Sequence, residues 1–132
     1  MSTISGTFSE RLAVASTRNR VLAGDRLRTA ADAFARRCIE KGMLAYPVGF
    51  GAERLLGAAL ARHDGLIVAT TWMPLDGYHV ALLSGYLVEP TVLTEMARVL
   101  TNLGVTRVEA AVLGGLDVDE VPGCAEIVAL PG

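Results

Sequence analysis

The chain has 132 residues, 52% of them hydrophobic and 20% charged, with a formal net charge of -2; that length and apolar content suffice for one core without help from a metal or disulfide. The small net charge gives no general reason to expect nucleic acid or an anionic membrane as a partner, and no apolar run approaches the roughly 20 residues of a membrane span. Ala, Leu and Val supply most of the apolar content, against three Phe, three Tyr and one Trp, which suits helices alternating with buried strands and disfavours an all-β sandwich or barrel.

The opening MSTISGTFSER lacks a basic start followed by an apolar stretch, so no signal peptide is read and a cytoplasmic location is expected. Residues 1–24 read as an N-terminal extension of a single domain over 1–132, with a weak helical pattern from Ser9 to Leu22. Residues 1–41 carry eight Lys or Arg against four acids, and the remainder four against ten. This asymmetry could help subunits meet head to tail. A solvated helical face is the plainer reading than a nucleic-acid arm, because no aromatic residues interleave the arginines.

From Asp25 to Lys41, Leu27, Ala31, Phe34, Ala35 and Cys38 recur at three- and four-residue steps, while Arg26, Asp32, Arg36, Arg37 and Glu40 fall largely on the other face. This predicts an amphipathic helix with Asp25 as N-cap and Gly42 as its stop. Met43 to Val48 is a short apolar run between glycines and reads as a strand. After Gly49-Phe50-Gly51, AERLLGAALARHD predicts a second helix with Leu55, Leu56, Ala59 and Leu60 on one face. Leu66 to Thr71 reads as a second strand and WMPLDG as a turn. HVALLSG gives a third strand, begun by Tyr78 or His79.

Leu93, Met96, Ala97, Leu100 and Leu103 mark one face of a helix from Thr91, with Pro90 ahead and Gly104 closing it. Arg107 to Leu113 and Glu126 to Leu130 supply the fourth and fifth strands. Strands separated by crossovers imply a three-layer α/β fold, Rossmann-like, with a mainly parallel five-stranded sheet between helices.

The succession of a helix, AYPVGFG, a helix, LIVAT, VALLSGYLVEPTVLTEMARVLTNLGVTRVEAAVLGG and EIVALPG resembles the core of type I phosphoribosyltransferases over residues 25–132. The resemblance aligns Pro47-Val48-Gly49-Phe50-Gly51 with that family's short diphosphate-contacting loop. Two glycines and the amides opening the next helix suit a bound anion, although a simple strand-to-helix turn accounts for the same residues. Ser84 and Gly85 stand where the family has an acidic pair that contacts ribose hydroxyls, and Tyr86 to Pro90 replaces its open phosphate loop. Glu89 is the only nearby acid. TWMPLDGYH is also shorter than the family's flexible covering loop, which argues against group transfer in the presence of water.

Other chemistry is less supported. His63 and His79 form no metal-ligand pattern; His63 suits a helix C-terminus and His79 the start of a strand. Ser84 lacks the full Gly-x-Ser-x-Gly elbow of a hydrolase. Asp117, Asp119 and Glu120 read as solvated surface, and Trp72 and Met73 as a contact patch or a cap on the sheet edge. Cys38 and Cys124 read as buried or half-buried free thiols.

The resemblance, with its departures at Ser84, Gly85 and the covering loop, leads to the expectation of a noncatalytic, homo-oligomeric protein, a homodimer by expectation, with no cofactor, metal or catalytic residue. It would bind a phosphorylated small molecule or nucleotide, or a protein partner, through Gly49, Phe50, Gly51, Ser84, Gly85, Glu89 and Thr91. The alternatives are a divergent phosphoribosyltransferase, using Glu89 in place of the acids and Thr91 for phosphate, and a regulator contacting nucleic acid through its Arg-rich N-terminal region.

Overall fold

The computed structural model describes residues 24–49, 51–85 and 88–131. The helix expected over 9–22, the structure of the 1–23 extension and the position of Phe50 lie outside the described residues. Helix α1 spans Asp25–Lys41 and buries Ala30, Ala31, Phe34, Ala35 and Cys38. Its N-cap is Gly24, which moves Asp25 from the expected cap into the first turn, where a carboxylate still faces the helix dipole favourably. Gly42 closes α1 in the left-handed region, its N–H meeting the carbonyls of Cys38 and Ile39.

Strand β1 is Met43–Pro47, helix α2 Ala52–Arg62, strand β2 His79–Ser84, helix α3 Pro90–Asn102, strand β3 Arg107–Leu113 and strand β4 Glu126–Leu130. The four strands lie in the order β1-β2-β3-β4, and every neighbouring pair is parallel. Ala45 sits opposite Ala81, and Ala81 opposite Glu109.

Among the described residues the sheet therefore has four strands where five were expected. The run 66–71 reaches β1 only through an isolated parallel bridge between Ala45 and Val68, in which the Ala45 N–H meets the Ile67 carbonyl at 2.8 Å and the Ala69 N–H meets the Ala45 carbonyl at 2.7 Å. It lies outside β1 at the sheet edge, and a turn closed by Met73 N–H on the Thr70 carbonyl ends it.

Alternation along the strands divides the core into two layers. Ala81 and Leu83 of β2 and Ala111 and Leu113 of β3 pack with α1 and α2. Val80, Leu82, Val108, Ala110 and Val112 pack with Leu93, Ala97 and Leu100 of α3. Helices thus cover both faces, as the sequence predicts. Residues 72–78 form the short crossover into β2, and Leu75 places it on the α3 side. Gly77 N–H bonds to the Gly104 carbonyl at 2.9 Å, anchoring that crossover beside the end of α3.

Candidate functional site

The edge segment, β1 and β2 are adjacent in space, although β2 follows the edge segment in sequence, so the chain's progression across the sheet reverses between β1 and β2. Open parallel sheets of this kind have their natural crevice at such a reversal, outside the carboxyl ends of the strands. Here Val48 N–H bonds to the Leu83 carbonyl at 2.8 Å, extending the ladder one residue past β1. Gly49 and Gly51 after β1, and Ser84 and Gly85 at the end of β2, therefore leave neighbouring strands together.

Gly49 and Gly51 have φ of 85° and 82°, a region closed to most side chains, and Gly51 caps α2 without side-chain help. The N-terminus of α2 follows directly, and the aligned dipole of a helix favours negative charge at that end. Helix α3 begins at the same end of the sheet on the opposite face, with Glu89 as its N-cap and Pro90 in its first turn. Glu89 and Thr91 are exposed there, and the Glu89 side chain makes no capping hydrogen bond.

Ser84 is fully buried. It continues the parity of Val80 and Leu82 toward the α3 layer, and its hydroxyl donates to the Gly85 carbonyl across a long 3.4 Å. Gly85 is also buried. The end of β2 thus presents backbone and a recessed hydroxyl, with no carboxylate at either residue. The seven expected site residues, except the undescribed Phe50, occupy one end of the sheet. Gly49, Glu89 and Thr91 are its exposed members.

The other singled-out residues lie elsewhere. His79 is the exposed first residue of β2. His63 follows α2, as expected, but its Nε2 lies 2.7 Å from an Asp32 carboxylate oxygen, which also accepts from Arg62 Nε at 3.0 Å. Hydrogen bonds from Arg62 and then His63 hold the Asp32 carboxyl down at about 2. Asp32, expected on a solvated face, instead ties α1 to the end of α2.

Cys38 is buried and Cys124 half-buried, both as free thiols. Burial pushes them up to about 12 and about 11 respectively, with Glu109 adding to the rise at Cys38. Both stay protonated and unreactive near neutral pH. Asp117, Asp119 and Glu120 are exposed.

Sequence reasoning missed Glu109. It is fully buried on the α1 side of β3, accepting from Arg37 Nε at 2.5 Å and from a second Arg37 nitrogen at 3.3 Å. Arg37 also reaches Glu126 at 2.9 Å, and Arg107 reaches Glu126 at 3.4 Å. The bond to Glu109 raises the Arg37 pKa further, so the cation is permanent. A charge at an inward position of RVEAAVL was the available signal. The cluster binds α1 to β3 and β4 near their amino ends, away from the crevice.

Two adjoining open depressions of about 430 and about 520 Å³ share Gly123, Cys124 and Ala125. His79 and Arg107 place the larger one at the amino ends of β2 and β3, opposite the predicted site.

Among solved structures, the chain is similar to the hypoxanthine phosphoribosyltransferase of Trypanosoma cruzi, at 16% identity and TM-score 0.47 over 81% of this chain and 76% of that one. A second structure of the T. cruzi enzyme, from work on its C-terminal region, matches at 16% identity and TM-score 0.45 over 81% and 73%. A glutamic acid mutant from an analysis of an invariant aspartic acid in such enzymes matches at 16% identity and TM-score 0.46, over 81% and 76%. These are likenesses of chain course and transfer no residue role. No protein-family model matches the chain. No curated protein matches it either.

Proposed function

We propose that this chain is a noncatalytic, phosphoribosyltransferase-like protein that binds a phosphorylated small molecule at the carboxyl ends of β1 and β2. The observation that carries this reading is the reversal of chain order between those strands, with Gly49 and Gly51 after β1 and Ser84 and Gly85 at the end of β2 beside it. Helices α2 and α3 both begin there, from opposite sides of the sheet, and helix N-termini favour negative charge. The noncatalytic part rests on Ser84 and Gly85. A recessed hydroxyl and a glycine offer no pair of carboxylates to hold ribose hydroxyls.

Calorimetric titration with ribose 5-phosphate, phosphoribosyl diphosphate and inorganic diphosphate tests the reading. Saturable binding is expected, and a ligand at ~100 times its dissociation constant adds ~2.7 kcal/mol to stability. Absence of binding across the three contradicts the ligand site. Diphosphate release from phosphoribosyl diphosphate with any base, lost in Glu89→Ala, contradicts the noncatalytic assignment.

A further inference from the structure

We propose that the 66–71 segment is the contact through which two copies of this chain join edge to edge, continuing one sheet into the other across a two-fold axis, independently of any ligand. The segment is bonded on one side only. Ala45 N–H meets the Ile67 carbonyl at 2.8 Å and Ala69 N–H meets the Ala45 carbonyl at 2.7 Å, so these groups of Ile67 and Ala69 face β1 and Val68 between them turns its own N–H and C=O the other way. Among the described residues no backbone group meets either of them. Val68 is half-buried, and an open strand edge of this kind is a template for another strand.

The two edges of the sheet differ in what guards them. At the opposite edge, β4 opens with Glu126, held by Arg37 and Arg107, and is followed by Pro131; a charge and a proline both oppose edge pairing. The run LIVATT has neither, and residues 65–75 contain no charged side chain. Trp72 at 93% and Ile67 at 56% are the two most exposed large hydrophobics among the described residues, and they belong to this edge and to the turn that ends it. An uncharged edge meets an identical copy without like-charge repulsion and offers a charged partner nothing to pair with. With the two-fold axis at Val68, the two Val68 residues exchange N–H and C=O, the Leu66 carbonyl accepts from the partner's Thr70 N–H, and Ile67 lies beside the partner's Ala69. Each copy thereby uses the same edge, and the guarded β4 does not carry the sheet further, so the assembly closes at two. This contact is apolar, unlike the head-to-tail meeting of opposite charges that the sequence suggests.

Sedimentation velocity of the full chain over a dilution series, at about 0.1 M and about 1 M salt, tests the proposal. A monomer–dimer equilibrium that salt does not weaken is expected. Ile67→Lys, at an exposed side chain, raises the dissociation constant about tenfold or more, while Ala129→Lys on the opposite edge leaves it unchanged, both with the circular dichroism spectrum of the natural chain. Hydrogen exchange at the Val68 and Thr70 amides is slow in the dimer and fast on dilution. A monomer at every concentration overturns the inference, as do a dimer dissociated by salt, a dimer indifferent to Ile67→Lys, and assemblies that grow beyond two. Protection of Val68 that persists in the monomer assigns the edge to a segment of the same chain and also overturns it.

Discussion

Arg37 and Glu109 are unequal partners: the carboxylate is fully buried, while the guanidinium side chain keeps 23% exposure and a second acid, Glu126. Removing Arg37 leaves a buried carboxylate whose one other cation among the described residues is Arg107, at 3.7 Å. Arg37→Leu is expected to cost about 3 kcal/mol, whereas Glu109→Leu, which leaves Arg37 with water and Glu126, costs under about 1 kcal/mol. Denaturant unfolding of the two variants checks the asymmetry; equal losses would contradict it. Asp32 gives a pH-dependent prediction. Its pKa falls from 3.8 to about 2 on folding, so its contribution is fully present above 3.8 and disappears as pH falls through about 2. Asp32→Asn should melt lower than the natural chain at neutral pH, with the gap closing across that acid window. A gap independent of pH would show that the Arg62 and His63 contacts contribute nothing through charge.

At the scale of elements, two glycines should respond in opposite directions to the same substitution. Gly104 has φ of 96°, and a Cβ there would stand 3.0 Å from the Asp76 Cα and closer to its carboxylate. Gly104→Ala is therefore expected to lose about 2 kcal/mol by straining the crossover against the end of α3. Gly57 lies inside α2 with nothing within 4 Å of an added Cβ, and Gly57→Ala should gain about 0.5–1 kcal/mol from helix propensity. Thermal melts of both variants supply the comparison.

Much of this element structure was legible in the sequence. Arg107–Leu113 and Glu126–Leu130 are the observed strands to the residue, because short apolar runs between turn residues have little choice once helices cover both faces. LIVATT was equally apolar, but it lies at the edge with β1 on one side only, and the turn at Thr70 ends its ladder after one bridge. Leu60 and Leu103 fit the helical period, yet remain 41% and 39% exposed. Leu103 has already left the helix as its C-cap, and the buried arc of α2 is filled by Ala52, Leu55, Leu56 and Ala59. Glu109 stood out as a charge at an inward strand position, but its partner did not: Arg37 is 72 residues away, and no local period records a contact across three elements.

For the molecule as a whole, the sheet has two chemically different ends. At the amino ends, Arg37, Glu109, Arg107 and Glu126 neutralise one another, and none of the described helices begins there. At the carboxyl ends, the left-handed glycines Gly49 and Gly51, the buried end of β2 at Ser84 and Gly85, and two helix N-termini lie near the reversal between β1 and β2. No described helix is long and apolar enough to cross a membrane. The sequence singled out residues that the fold brings to one end of the sheet; the burial of the Ser84 hydroxyl emerged only from the packing.

The location of binding tests the account most directly. Ribose 5-phosphate titrated into isotopically labelled protein, with backbone amide resonances followed by NMR, should perturb Gly49, Gly51, Ala52, Gly85 and Thr91 together with one saturation curve. Perturbations centred on Gly123, Cys124 and Ala125 at the opposite end of the sheet, or none at all, would contradict it.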